Sequence, residues 1–393
     1  MKKKIVSMLL CTVMATALAA GCGSQKTDDA AAPADNNAAP ETEGEASAPT
    51  AAPETEGETS APAAASAGST ADIELTYDGE PIELLVTQHD PENSATGEFL
   101  NDWKKIVEEK SQGKLILNIN HGGTLAGPKD TYDYVLNGTA DIGWGLQSFY
   151  ADVFPVSEVF SLPMIDIDNA IQGSTAIWNF YKSTDYMDAE YENFHVLLLH
   201  TNCQSPISFV GDKIETVEDL ASLQCRANAG PPTTFAQNLG MTPVSIAITE
   251  LYQALQTGAC ESVMTDWHAI SSFKLNEVCK NFLDENLGVS TYFMVMNKDK
   301  YESLPEDLQK ILDAASEEAI AATDAWQRYE DTVRDTITSA NPDAIYTFSD
   351  EEHDKLKAVA DETIQQWIES MNGKGYDGQA IYDEAMACLE AAK

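Results

Sequence analysis

Pro81-Ile82-Glu83-Leu84-Leu85-Val86-Thr87-Gln88 opens the folded part of the chain. An apolar centre between polar ends, with Pro at the start, reads as a buried strand. Ser94 to Lys110 follows, with Phe99, Trp103, Ile106 and Val107 on one helical face. Lys114 to Asn120 then alternates as a second strand, and Gly122-Gly123 ends it. Strand, helix, strand is a crossover unit, so the two strands should lie parallel in one sheet.

The rhythm continues outward from this unit. Helices are expected over 128–136 and 168–182, with strands at 140–146 and 194–200. It restarts after Ser205, with strands at 207–210, 223–228, 243–248, 261–265 and 290–296 and helices at 231–239 and 250–256. Two α/β lobes follow, with largely parallel sheets covered by helices and a chain that crosses between lobes more than once. Ser303-Leu304-Pro305-Glu306 has the pattern of a capping box. Apolar positions from Leu308 to Ile337 then predict one long helix spanning both lobes, ahead of a strand at 344–348 and helices from Glu351 onward.

Lys2, Lys3 and Lys4 precede an apolar stretch from Ile5 to Ala20 that is too short to span a bilayer and has the layout of a secretory leader. Leu18-Ala19-Ala20-Gly21-Cys22 resembles a bacterial lipobox, which implies cleavage after residue 21 and lipid on Cys22. Residues 22–75 are mostly Ala, Pro, Glu, Thr, Gly and Ser, and Ala39 to Glu45 nearly repeats as Ala52 to Glu58. Such a segment buries too little apolar area to offset its ordering entropy, and is expected to be a solvated tether.

The 393 residues carry 23 basic and 64 acidic side chains, a net charge of −41. Residues 1–70 hold 4 Lys and 9 acids, which leaves a net of −36 on the rest. Nucleic-acid partners are excluded, because phosphate binding needs clustered cations. Seven Cys include five beyond Cys22, without C-x-x-C spacing, so neither zinc nor redox chemistry is expected; the five read as small buried hydrophobes, with one disulfide possible. No nucleophile elbow, zinc-protease, Walker or dinucleotide motif occurs, so no enzyme, metal or cofactor is expected.

Several stretches, taken in order, resemble one family. They are Asn137-Gly138-Thr139-Ala140-Asp141-Ile142-Gly143, Phe160-Ser161-Leu162-Pro163, Ile214 to Leu220 with Leu223-Gln224-Cys225-Arg226, Leu239 to Val244, and Glu250-Leu251-Tyr252-Gln253-Ala254-Leu255-Gln256-Thr257-Gly258. In that order they resemble the solute-binding proteins of tripartite ATP-independent periplasmic (TRAP) transporters, DctP type. The resemblance implies a class II-like periplasmic-binding-protein clamp that delivers a small organic acid to membrane permease subunits. Its alternative is a lipoprotein presenting ligand to a signalling receptor; a surface hydrolase is a third, weaker reading. Lobe I is expected over 76–204 with about 289–335, and lobe II over 205–288 with about 336–393. The location is extracytoplasmic, anchored by lipid.

Arginine is scarce: only Arg226, Arg328 and Arg334 occur. Arg226 ends a strand and matches the family's carboxylate-clamping Arg, whose planar fork meets a carboxylate bidentately. Asn228 lies two residues on, on the same face. Many members carry a second Arg after the crossing strand, where this chain reads Asn202-Cys203-Gln204-Ser205-Pro206. That departure favours a single carboxylate, with Gln204 as a neutral donor. Further candidates lie at strand C-termini, where open α/β sheets bind ligands: His89, Trp144, Gln147, Asp266 and Trp267. Ile248 is a candidate apolar contact.

Overall fold

The computed structural model describes residues 73–150 and 152–393. The expected leader at 1–21, the lipidation at Cys22 and nearly all of the 22–75 tether lie outside the described residues.

Lobe I starts with β1 (Ile82–Thr87), α1 (Ala95–Lys110), β2 (Leu115–Asn120), α2 (Thr131–Leu136), β3 (Ile142–Leu146), α3 (Ala170–Ser183), α4 (Asp188–Tyr191) and β4 (Phe194–Thr201). Lobe II then runs through β5 (Ile207–Phe209), β6 (Gln224–Arg226), α5 (Pro231–Asn238), β7 (Thr242–Val244), α6 (Ile248–Thr257), β8 (Ser262–Met264), α7 (Trp267–Ser272) and β9 (Asn281–Leu283). The chain returns as β10 (Thr291–Asn297), α8 (Lys298–Glu302), α9 (Glu306–Glu318) and α10 (Asp324–Ala340), and ends with β11 (Ile345–Tyr346), α11 (Asp350–Gly373) and α12 (Gly378–Ala391). Ser94 caps α1, its Oγ accepting from Gly97 N at 3.2 Å.

The strand orders are β2-β1-β3-β10-β4 and β11-β9-β5-β8-β6-β7. β1 pairs in parallel with β2 and β3, as the opening unit requires. β10 is antiparallel to both its neighbours, and so is β5 in the other sheet. These are the strands that follow the crossings. A strand arriving directly from the other lobe has no helical crossover, so nothing obliges it to run parallel.

The crossings bond to each other. Asn202 N donates to Ser290 O at 3.3 Å, Ser205 N to Gly288 O at 3.0 Å, and Ser290 N to Asn202 Oδ1 at 2.7 Å. Gly288 has φ +118°, and a Cβ there would meet the carbonyl oxygens of Leu162 at 3.3 Å and Ser161 at 3.4 Å. Only glycine gives the hinge this close approach without strain. One large core fills lobe I, and two smaller ones lie on lobe II.

Three expectations change. The predicted long helix breaks into α9, a 3₁₀ turn at Ala319–Thr323, and α10. Thr323 Oγ1 donates back to Ile320 O at 2.6 Å, and the tightened turn packs against α1, α3 and β4. α10 still reaches both lobes, with Trp326 in the lobe I core and Val333 and Ile337 in a lobe II core, and so does α11, with Leu356 and Ala360 in a lobe II core and Ile364 and Trp367 in the lobe I core. Ser303 does not cap α9, since its Oγ donates to Lys300 O and Pro305 holds the N-cap position. α12, expected with lobe II, buries Ile381, Ala385 and Leu389 in the lobe I core beside α3. Cys203, Cys225, Cys260, Cys279 and Cys388 are all free and buried, in keeping with their reading as small buried hydrophobes, and no disulfide forms among them.

Candidate functional site

A cleft of about 400 Å³ opens between the lobes at the crossings. Lobe I contributes His89 and Asp90 after β1, Leu146 at the end of β3, Phe149 just beyond it, and Tyr292 on β10. Lobe II contributes Arg226 at the end of β6, Asn228 beyond it, Ile248 at the start of α6, and Thr265, Asp266, His268, Ala269 and Phe273 around α7. The strand C-termini converge here, as open α/β sheets lead one to expect.

Arg226 is 6% exposed. Its Nε donates to Ile246 O at 3.4 Å, and no carboxylate pairs with it among the described residues. The other two arginines are both paired: Arg328 with Glu98 and Asp324, Arg334 with Asp284 and Glu330. Burial lowers the pKa of Arg226, an effect opposed by nearby groups that include Asp266. A guanidinium that is desolvated and unpaired is a costly feature, and an incoming anion relieves it.

Asn228 Nδ2 donates to Ser290 Oγ at 3.1 Å, and its Oδ1 is buried without a partner. Asp266 caps α7, its Oδ1 accepting from Ala269 N at 3.0 Å, and burial raises its pKa. Asp90 Oδ2 accepts from Thr96 Oγ1 at 2.7 Å. Each acid has a histidine beside it, His89 at 3.7 Å from Asp90 and His268 at 3.6 Å from Asp266. Burial holds His89 towards its neutral form, with Asp90 opposing. His89 Nδ1 and His268 Nε2 have no partner. Among the described residues no cluster could hold a metal ion.

Arg226, Asn228, Asp266, His89 and Ile248 are thus brought together, and four other expected residues are not. Trp144 is fully buried one layer behind the cleft, stacked on Tyr292 with ring centroids 4.8 Å apart. Its Nε1 donates to His200 Nε2 at 2.7 Å. Trp267 starts α7 with its ring turned into the lobe II core against Phe282, under the Arg334 guanidinium. Gln147 donates to the Tyr191 hydroxyl inside lobe I. Gln204 is a hinge residue: Nε2 donates to Ile167 O at 3.0 Å, and Oε1 accepts from Gly288 N at 2.9 Å. Each lies close to the cleft in the chain, yet its side chain points away from it.

Tyr292, Ser290 and His268 line the cleft without having been singled out in the sequence. Tyr292 lies in an apolar strand and reads as core, although a buried hydroxyl needs a partner and so carries a signal. Here that partner is Asn202 Nδ2, at 3.2 Å.

Two lobes, paired crossings and an unpaired cation between the lobes define a solute-binding clamp. The chain belongs to the bacterial extracellular solute-binding proteins, family 7 (DctP), which it matches over residues 86–370. It is 26% identical over 250 residues to the C4-dicarboxylate-binding periplasmic protein DctP of Shewanella loihica, covering 61% of this chain and 71% of that one. A marine metagenome TRAP solute-binding protein specific for aromatic acid ligands, solved with 3-hydroxybenzoate, superposes with a TM-score of 0.75 at 24% identity, covering 80% of this chain and 100% of that one. A TRAP solute-binding protein of Rhodoferax ferrireducens, solved with copurified benzoate, gives a TM-score of 0.72 at 25% identity, with coverage of 79% and 98%. This protein is therefore an extracytoplasmic TRAP-type solute-binding protein, in a family of binding proteins rather than enzymes. No helix among the described residues is long and apolar enough to cross a membrane.

Proposed function

We propose that the cleft takes a solute with a single carboxylate, held bidentately by Arg226 with Asn228 beside it. The observation that carries this reading is the state of Arg226: buried, and without an acid partner among the described residues. The cleft lining includes no Lys and no second Arg to meet a second carboxylate. The Shewanella relative is named for a dicarboxylate, while the two solved relatives hold acids with one carboxylate on a ring. Leu146, Phe149, Ile248, Phe273 and Tyr292 supply the apolar walls such a ring or chain would need.

The ligand should close the lobes by contacting both of them more fully in the closed state than in the open one. The finer account of location belongs to the same proposal: lipid on Cys22, a tether over 22–75, and delivery to membrane permease subunits.

Mass spectrometry of small molecules released by denaturing natively purified protein tests the reading. A compound with one carboxylate is expected. A dicarboxylate, or a solute with no acid group, would refute it.

A further inference from the structure

The cleft carries more negative charge than a receptor for a simple anion needs. Asp90 is 6% exposed and Asp266 is 4% exposed, and the two come from opposite lobes. They are close enough for the charge on Asp90 to act on Asp266 and for both to act on Tyr292. Against them stands one permanent cation, Arg226. Acceptors without partners dominate as well. Among the described residues Asp266 Oδ2 and Asp90 Oδ1 accept no hydrogen bond, and Asn228 Oδ1 is buried without a donor. His89 Nδ1 and His268 Nε2, in nearly buried side chains that face the cleft from opposite lobes, are also unpartnered.

Closing the lobes brings two like charges together in a site that is losing water. Repulsion at low dielectric then opposes closure. A plain monoanion settles Arg226 and leaves that repulsion in place. A cation between the two acids turns it into attraction.

We propose that the solute is a zwitterion of the amino-acid type, with its carboxylate on Arg226 and a protonated amine between Asp90 of lobe I and Asp266 of lobe II. This rests on the reading of Arg226 as the carboxylate anchor. The amine is the part of the ligand that makes closure favourable, because it alone bonds an acid from each lobe. Asp90 and Asp266 are specificity-determining residues on this account.

Matched sets of three separate the charges: phenylalanine, 3-phenyllactate and 3-phenylpropionate; alanine, lactate and propionate; and proline, tetrahydrofuran-2-carboxylate and cyclopentanecarboxylate. Each is titrated into the wild-type protein by calorimetry, with thermal shift as a second readout. In at least one set the amino member should bind tenfold or more tighter than the other two. Asp266→Asn keeps a capping side chain for α7. It should weaken the amino member about tenfold and strengthen the member lacking any donor, and Asp90→Asn should do the same. If the hydroxy or unsubstituted member binds as well as the amino member, the inference is overturned while the single-carboxylate reading stands. If no member of any set binds, the inference falls, while the compound released from natively purified protein still decides the single-carboxylate reading. The wild-type ranking decides even if a variant folds poorly.

Discussion

Gln204 Oε1 accepts from Gly288 N across 2.9 Å, tying the outgoing crossing to the returning one. The same side chain donates to Ile167 O, so one amide bonds three segments at the hinge. Gln204→Ala leaves a buried N–H and a buried carbonyl without partners. The expected cost is about 1–3 kcal/mol per orphaned group. Urea denaturation should show a lower midpoint, while ligand affinity changes far less than in an Arg226 variant. An unchanged midpoint would remove Gln204 from the hinge.

Arg226→Met should abolish the ligand-induced rise in melting temperature. It should also leave the ligand-free melting temperature equal to or above wild type, because an apolar side chain replaces a desolvated, unpaired cation. Arg226→Lys should restore little binding, since a point charge lacks the planar fork. The probe is the acid released from wild-type protein. Retained affinity in the Met variant would reassign the anchor.

Trp144→Phe keeps an aromatic ring behind Tyr292 but removes the N–H that His200 Nε2 accepts. His200 lies near Thr201 O through Nδ1, at 3.2 Å, which suits a proton on Nδ1 and leaves Nε2 as the acceptor. Losing the donor should cost about 1–3 kcal/mol of stability. Affinity should move less than tenfold, since Trp144 stands behind the wall. A large affinity loss at unchanged stability would mean that the indole contacts the solute.

Stability should peak on the acid side of neutrality. Burial pushes the Glu158 and Glu330 carboxyls up to about 7 and Glu190 to about 8, so the fold favours their protonated forms. That contribution is complete below their ordinary value near 4.5 and is lost as pH rises towards 7–8. Burial pulls His200 down to about 3, so its contribution is present above 6.5 and is lost as pH falls towards 3. Melting temperatures from pH 3.5 to 8.5 should show a maximum near pH 4–4.5, where three carboxyls begin to outweigh one histidine. Glu190→Gln, which can still accept from Val156 N and donate to Ser157 Oγ, should flatten the alkaline limb. A steady rise up to pH 8 would contradict this assignment.

The five cysteines of the described body should resist a thiol reagent in the native state and all react once unfolded. Burial raises every one of their pKa values, to about 12 for Cys225 and Cys279 and about 11 for Cys388. Thiolate, the reactive form, is therefore scarce. Fast native labelling of any of the five would place that thiol outside the core.

Local periodicity in the sequence carries the strands and helices of both lobes, because a buried face repeats with the period of its own backbone. The βαβ unit from Pro81 to Asn120 was readable for that reason. Arg226 was readable for a different one: with three arginines in a body of net −36, a cation at a strand end stands out. Periodicity says that a face is buried, not what lies against it. Trp144 and Trp267 lie close in the chain to true cleft residues, yet Trp144 sits inside β3 and Trp267 starts α7, and both rings pack into the cores. Tyr292 and His268 turn into the cleft instead. The 3₁₀ break after α9 answers to the helices packed around it, and α12 joins lobe I because its apolar face fits against α3. The meeting of Asp90 and Asp266 depends wholly on the third dimension: the two acids are far apart in the chain, and only the folding of two lobes about bonded crossings sets them on one cleft.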